Sequence, residues 1–507
     1  MFRIFGPPGT GKTTTLINMV EAALDSGTRP TDIAFLAFTR KAANEAKERA
    51  AKRFNLNPEE DLRSFRTIHS FALSRIRIKS EEVMQPSHYR ELGAALGYRF
   101  EMSGGGLSAG DIFESKANDP ILSLVNLARL KKTDLRTEYD HSNLYVDWNL
   151  VKYVSEGLTE YKESFGMYDF TDMLEQFIRQ ADQCCPTFQL TFLDEAQDLS
   201  PMQWDIAHIL DGKSQRMYCA GDDDQAIYRW AGADVEHFIN LPGGAETLEQ
   251  SYRVPRSVHE VAERIVGRIH RRYPKTYHAR EERGKVAQIT EISELDLHEP
   301  DSGSWLIMAQ AGYMLSPLAA ELKSLGVLFN DRGRRSISDK ISMAVNGWER
   351  LRKGIAISGE EVRAIYSYMS SKTHIGRGFK KLPGVDDSDQ LTMGDLIADH
   401  GLLADPKAVW HEAMDLLPEN DRAYIVAMLR RGEKFNGEPR VSVSTIHGAK
   451  GGEADNVVLF TDLSSAAQNA ASLDADDLHR VFYVGVTRTR KNLYLVEPED
   501  FNRSYRI

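Results

Sequence analysis

The chain has 507 residues, 42% of them hydrophobic and 27% charged, with a formal net charge of −11. That length suits about three or four domains of roughly 150 residues each, and the composition excludes a disordered, collagen-like or disulfide-stapled chain. The negative balance argues against coating nucleic acid non-specifically, but it leaves room for a locally basic groove.

In chain order, Phe2 to Phe5 (FRIF) reads as a short buried strand, Lys12 to Asp25 as a helix and Ile33 to Phe38 as a second strand. A Gly-rich loop begins at Gly6, so the first strand is already part of the fold and no signal peptide is expected. Residues 90–165 read mainly helical, with a flexible loop expected at Gly104 to Gly106. Leu190 to Asp194 and Met217 to Gly221 are apolar strands with polar ends. Arg268 to Gly284 (RIHRRYPKTYHAREERG) is locally basic, either a solvated face or part of a groove. Strand texture returns at Trp305 to Ala309, Val441 to Thr445, Val457 to Thr461 and Leu493 to Val496. Residues 336–435 read helical and contain a second basic run, Lys372 to Lys381; the Ala/Ser/Asp segment 464–477 reads as a flexible loop.

Strands alternating with helices imply parallel βαβ units, whose polar ends gather at one edge of the sheet. The expected fold class is α/β, with two domains built on parallel sheets, each carrying a mainly helical insertion. The boundaries expected are 1–89 with 166–250 for the first domain and 90–165 for its insertion. The second domain takes 251–335 with 436–507, and 336–435 is its insertion. No apolar run approaches the ~18 residues of a membrane span. The three cysteines, Cys184, Cys185 and Cys219, make no metal or disulfide framework, so a reducing cytoplasm is expected.

GPPGTGKT, Gly6 to Thr13, fits G-x-x-x-x-G-K-[ST] between a strand and a helix. Glycines let the backbone wrap a phosphate and turn several N–H groups inward, and the helix N-terminus adds a positive dipole. Gly6, Pro7, Pro8, Gly9, Thr10, Gly11, Lys12, Thr13 and Thr14 are the candidate nucleotide contacts. Among them Lys12 would reach the outer phosphates and Thr13 would ligate Mg²⁺. FLDEAQD, Phe192 to Asp198, delivers two acids from a strand end: Asp194 for Mg²⁺ and Glu195 to polarise the attacking water. These two motifs fit any P-loop NTPase, nucleotide kinases and signalling GTPases included.

Further motifs narrow the choice. FTRKAANEAKER (Phe38 to Arg49), TIHSFA (Thr67 to Ala72), LDEAQDLSPMQ (Leu193 to Gln203), AGDDDQAIYRWAGAD (Ala220 to Asp234), SYRVP (Ser251 to Pro255), STIHGAKGGEADNVVLF (Ser444 to Phe460) and FYVGVTRTRKNLYLV (Phe482 to Val496) follow in this order. With the P-loop they resemble the motif set of superfamily 1 DNA helicases of the UvrD, PcrA and Rep type, in a compact version, from residue 6 to residue 496.

The resemblance implies two RecA-like motor domains, ATP and Mg²⁺ as cofactors, and hydrolysis in the cleft between the domains driving movement on single-stranded DNA, 3′ to 5′, with duplex unwinding. It implies that Gln225 senses the γ-phosphate, that Arg253 and Arg488 are contributed to that phosphate by the second motor domain, that Glu453 contacts nucleotide and that Tyr252 stacks on adenine. The DNA track would comprise Phe38, Thr39, Arg40, His69, Tyr228, Arg229, Trp230 and His447. Stacking suits a translocase because every base has a π-face, and Trp230, followed by Ala-Gly-Ala, reads better as a stacking platform than as core.

Relatives carry an adenine-reading glutamine before the P-loop strand; five residues precede Gly6 here, so ATP preference is expected to rest on Tyr252. Relatives place a strand-separating hairpin near the position of Arg490, after which 17 residues (507 − 490) remain, so a wedge is expected elsewhere or not at all. The expected partners are single-stranded DNA and single-strand/duplex junctions, together with replication or repair proteins. No membrane is implied, and a monomer is favoured although the sequence does not fix the oligomeric state. Two other readings compete. One is an ATP-gated DNA-binding subunit of a larger nuclease or replisome complex, without unwinding of its own. The other is an NTPase switch acting on protein partners, which leaves Trp230 and the late arginines unexplained.

Overall fold

The computed structural model describes residues 1–37, 40–101, 119–142, 144–434 and 436–507. The chain forms two compact units: Met1–Arg283 with Ala470–Thr487, and Gly284–Asn469 with Arg488–Ile507.

The sheet of the first unit has six strands in the order Phe65–Thr67, Ile33–Ala37, Phe188–Leu193, Ser214–Gly221, Phe2–Phe5, Ala245–Thr247, all parallel. Parallel strands are covered on both faces and so read as unbroken apolar runs; all five residues of Ile33–Ala37 are buried. The two-residue side-chain period divides each strand between two cores. Ile4, Phe35, Phe192 and Ala220 join Leu16, Ile17 and Val20 of the helix Lys12–Asp25 and Ala43, Ala46 and Ala50 of the helix Arg40–Phe54. Their neighbours Phe5, Leu36, Leu193 and Cys219 join Phe71, Phe177 and Trp204 on the opposite face. The carboxyl ends of the strands therefore bring Gly6, Asp194 and Asp222 to one edge of the sheet.

Helices Pro86–Leu96, Pro120–Lys131, Leu135–His141 and Trp148–Phe165 pack around a separate core of residues such as Leu92, Leu122, Val125, Val151 and Leu158. The expected glycine loop Gly104 to Gly106 lies outside the described residues.

Residues 251–283 and 470–487, expected in the second domain, pack with the first unit instead. The strand Gln250–Pro255 lays Ser251 against the P-loop, Ser251 Oγ donating to Pro8 O at 2.7 Å, and pairs with His278–Arg280. The helix Asp476–Val486 packs on the helix Arg256–Val266.

The main sheet of the second unit has seven strands in the order Arg334–Arg335, Phe329–Asp331, Val441–Thr445, Trp305–Ala309, Ala454–Phe460, Thr489–Val496, Lys285–Ile289, parallel except for the first pair. Helices Asp339–Arg352, Gly359–Ser367 and Glu419–Arg430 share one continuous core with this sheet, in which Trp348, Ile365 and Ile425 join Ile307, Val441 and Val443. The segment 464–477 is not the expected loop: Ser465–Leu473 is a helix. Its alanines favour that state, and Ser464 Oγ accepts from Ala467 N at 3.1 Å at its start.

Candidate active site

The P-loop is held by contacts that only its own residue types allow. A Cβ on Gly6 would lie 1.8 Å from Lys12 Cγ, and one on Gly9 would lie 2.4 Å from Arg253 Cβ. Gly9 and Gly11 have φ of 73° and 80°, which a side chain would strain. Thr10 Oγ1 donates to Pro7 O at 2.8 Å, and Tyr252 N donates to Gly9 O at 2.9 Å. Lys12, the first residue of its helix, donates to Gly6 O at 3.1 Å and sits 3.7 Å from Glu195 Oε1. The ammonium and the helix N-terminus make an anion site at the strand end.

Thr13 Oγ1 donates to Asp194 Oδ2 at 2.5 Å. This hydroxyl and carboxylate form the oxygen donor set that a hard cation such as Mg²⁺ takes. Burial pushes the Asp194 carboxyl up to about 6, and the neighbouring Glu195 adds to this, while Lys12 and Thr13 oppose it. Glu195 has φ 54°, a left-handed conformation unusual for a side-chain-bearing residue. Its Oε2 accepts from Gln197 Nε2 at 2.6 Å.

The motif FLDEAQD by itself assigns Gln197 no role. The structure gives it one: Nε2 also donates to Asp198 Oδ2 at 3.0 Å, and Oε1 accepts from Asp222 N at 2.9 Å. One buried amide thus connects the acid pair after the third strand of the sheet to the acidic segment after the fourth. That segment, Asp222, Asp223 and Asp224, is buried, and Gln225 Nε2 donates to Asp222 Oδ2 at 2.6 Å. Lys275 Nζ lies 3.1, 2.6 and 2.6 Å from carboxylate oxygens of Asp222, Asp223 and Asp224. Arg272 grips both oxygens of Asp224, at 2.8 and 2.7 Å. Burial raises the Asp223 carboxyl to about 6 against the pull of Lys275. Asp224 is pushed up by burial too, but Lys275 and Arg272 together outweigh this and hold it below the usual range. The basic run from Arg268 is therefore not simply a solvated face, since Arg272 and Lys275 turn inward.

Five residues after the buried Gln225, Trp230 is 63% exposed, which removes the core reading for its ring. Tyr228 meets it edge-to-face at 6.5 Å. Arg229 differs from the expected strand contact: Nη1 pairs with Asp477 Oδ1 at 2.9 Å and Asp474 Oδ2 at 3.5 Å, so its charge is already engaged. His69 differs as well. It is 7% exposed, burial drops its ring to about 4, and its Nε2 has no hydrogen-bond partner among the described residues, so it is a neutral ring inside the fold. Arg40 is exposed at the start of its helix, and Phe38 and Thr39 lie outside the described residues. Tyr252 is 73% exposed beside the P-loop.

Within the second unit, Arg488 is buried and donates from Nη1 to Gly452 O at 3.3 Å, next to Glu453, which forms an ion pair with Arg490. His447 is half-buried in the turn after Val441–Thr445. In the first unit Arg480 lies outside every residue role that the motifs imply. This fully buried arginine donates from Nε to Asp223 O at 3.0 Å and from Nη1 to Asp477 Oδ1 at 3.2 Å, and it also donates to Arg271 O.

Residues 2–243 match the UvrD/REP helicase N-terminal domain, and residues 440–496 match the UvrD-like helicase C-terminal domain. The ATP-dependent DNA helicase PcrA of Staphylococcus aureus is 24% identical over 287 residues, covering 54% of this chain and 38% of the relative. YjcD of Bacillus subtilis is 27% identical over 294 residues, covering 54% and 37%. The match thus spans well under half the length of these curated relatives. The solved structure of PRRSV helicase covers 99% of this chain and 53% of its own at 10% identity and a TM-score of 0.34, too loose a superposition to build on. Among the described residues, no helix is long and apolar enough to cross a membrane.

Proposed function

Because this chain belongs to the UvrD/Rep family of helicases, we propose that it is an ATP-dependent DNA translocase that moves on single-stranded DNA, 3′ to 5′, and opens duplex at single-strand junctions. Lys12 and the P-loop N–H groups hold the β- and γ-phosphates. Thr13 and Asp194 hold Mg²⁺, which when bound neutralises charge developing on the phosphate oxygens. Glu195 orients and polarises the attacking water, and Gln225 registers the γ-phosphate. Arg253 and Arg488 supply positive charge to the same phosphate, Tyr252 stacks on the base and Glu453 adds a nucleotide contact. Trp230 and Tyr228 take bases by stacking, with Arg40 and His447 on the strand.

The observation that supports this most is the short bonded path from fuel to track. Glu195 bonds to Gln197, Gln197 to Asp222, and Asp222 to Gln225; five residues on, Trp230 presents its ring to solvent. A switch acting on protein partners has no need of that exposed ring.

The test is hydrolysis with and without single-stranded DNA, then unwinding of duplexes bearing a 3′ or a 5′ tail. Strong stimulation by DNA and opening of the 3′-tailed duplex are expected. Hydrolysis indifferent to DNA would sink the proposal. Stimulation without unwinding of either duplex would leave the subunit of a larger nuclease or replisome complex as the better reading.

A further inference from the structure

We infer that Lys275 is a positioning residue for nucleotide hydrolysis: its ammonium gathers Asp222, Asp223 and Asp224 into one knot and thereby fixes the amide of Gln225. The inference rests on the role proposed above for Gln225.

Asp222, Asp223 and Asp224 are the one group among the described residues whose acidic side chains converge closely enough to hold a metal ion. The lysine ammonium already occupies the place a cation would take, with a side chain only 1% exposed and one carboxylate oxygen of each aspartate within 3.1 Å. The Asp222 carboxylate has three partners: Oδ1 faces Lys275 at 3.1 Å and accepts from Asp224 N at 3.3 Å, and Oδ2 accepts from Gln225 Nε2 at 2.6 Å. One N–H of Gln225 is therefore committed in a direction that Lys275 sets. Without the ammonium, three buried carboxylates would repel one another, and apart from Gln225 itself Asp222 would keep only the long bond from Asp224 N to orient it.

The knot is also tied to the phosphate loop. Tyr273 N donates to Asp223 Oδ2 at 2.7 Å, and the Tyr273 ring stacks on Phe5 with centroids 4.0 Å apart and planes 6° apart. Phe5 directly precedes Gly6. The Arg272 to Lys275 segment thus holds the acidic segment and the strand that opens the P-loop in one register. A plain stabilising ion pair is the competing account, but buried charge clusters are poor sources of net stability. What this one does supply is geometry.

The test uses three variants of the full chain: Lys275→Met, Lys275→Arg, and Lys275→Met combined with Asp223→Asn, which removes one of the stranded charges. Steady-state kcat and KM for ATP are measured per folded molecule, with thermal melting alongside. Lys275→Met is expected to lower kcat about 10- to 100-fold, as small misplacements of a reacting group do, with KM changed less than about twofold because no residue proposed to hold the nucleotide is replaced. Lys275→Arg and the double variant should recover melting without recovering kcat, since neither restores the compact ammonium. Wild-type kcat in any folded variant lacking Lys275 would overturn the inference. So would a fall in activity explained entirely by lost folded protein. These measurements hold on basal turnover too, so a wild-type enzyme that ignores DNA would defeat the proposed function while leaving the Lys275 comparison readable.

Discussion

The phosphate loop and the acidic segment lie at the same sheet edge, yet different parts of the chain shape them. The loop is shaped mainly from within, where Thr10 bonds Pro7, Lys12 bonds Gly6 and Gly9 and Gly11 take left-handed conformations, with two added bonds from the strand Gln250–Pro255, Ser251 Oγ to Pro8 O and Tyr252 N to Gly9 O. The acidic segment is fixed from outside, by Gln197, Arg272, Lys275 and Arg480. A locally closed turn tolerates changes elsewhere and is recognisable as a string of residues. A segment of three buried acids is stable only where distant cations meet it. The catalytic consequences of damage should therefore differ in kind between the two.

The largest effect is expected at Glu195. Glu195→Gln keeps the bond to Gln197 within reach of an amide but removes the group that polarises water. Turnover should fall about 10²- to 10⁴-fold, the span of a lost general base, with ATP binding preserved. Single-turnover hydrolysis alongside binding of a fluorescent ATP analogue checks this; near wild-type turnover would remove Glu195 from its role. Arg480→Met probes the other region. It strips donors from two backbone carbonyls and from Asp477 in a fully buried site. Breaking one side of such a cluster costs about 3–5 kcal/mol, read as a lowered urea midpoint. If the midpoint is unchanged, the acidic segment does not depend on its distant partners.

The same division decided what the sequence could disclose. Phe2–Phe5, Lys12–Asp25, Trp305–Ala309 and Val441–Thr445 fall where periodicity and apolar runs put them, because buried parallel strands and a helix with one buried face leave local signatures. Lys12, Thr13, Asp194 and Glu195 meet at the strand ends, where parallel βαβ units gather their polar residues. Lys275 and Arg480 carried no signal. A lysine within a basic run looks like a solvated cation until a partner fifty residues away closes over it, and Arg480 lies far along the chain from the Asp223 backbone it holds. The helix Ser465–Leu473 is not legible in the sequence because Ala and Ser mixed with Asp resemble a linker, although alanine favours a helix. The motifs mark His69 and Arg229 as strand contacts, but burial and ion pairing are properties of the fold.

Trp230 belongs to the acidic segment's side of the comparison, but its ring faces solvent, so it can be changed without touching the buried charges. Trp230→Ala should weaken binding of single-stranded DNA by about 1–3 kcal/mol, the worth of one stacked base. DNA-stimulated hydrolysis should fall and basal hydrolysis should stay near wild type. Equal loss of both would mean that the exposed ring supports the nucleotide site rather than the strand.

The smallest effect is a slope rather than a loss. Burial alone holds His69 neutral, with a pKa of about 4 in the folded chain against an ordinary 6.5. The unfolded chain therefore takes up a proton that the folded chain refuses. Stability from the neutral ring is complete above pH 6.5 and drains away as pH falls toward 4, at no more than about 1.4 kcal/mol per pH unit. His69→Phe removes the titration while keeping an apolar ring, and it should flatten that part of the stability profile measured by urea unfolding at pH 7, 6 and 5. A variant whose profile overlays the wild type would show that His69 is not a buried neutral ring and would restore it as a candidate on the strand's path.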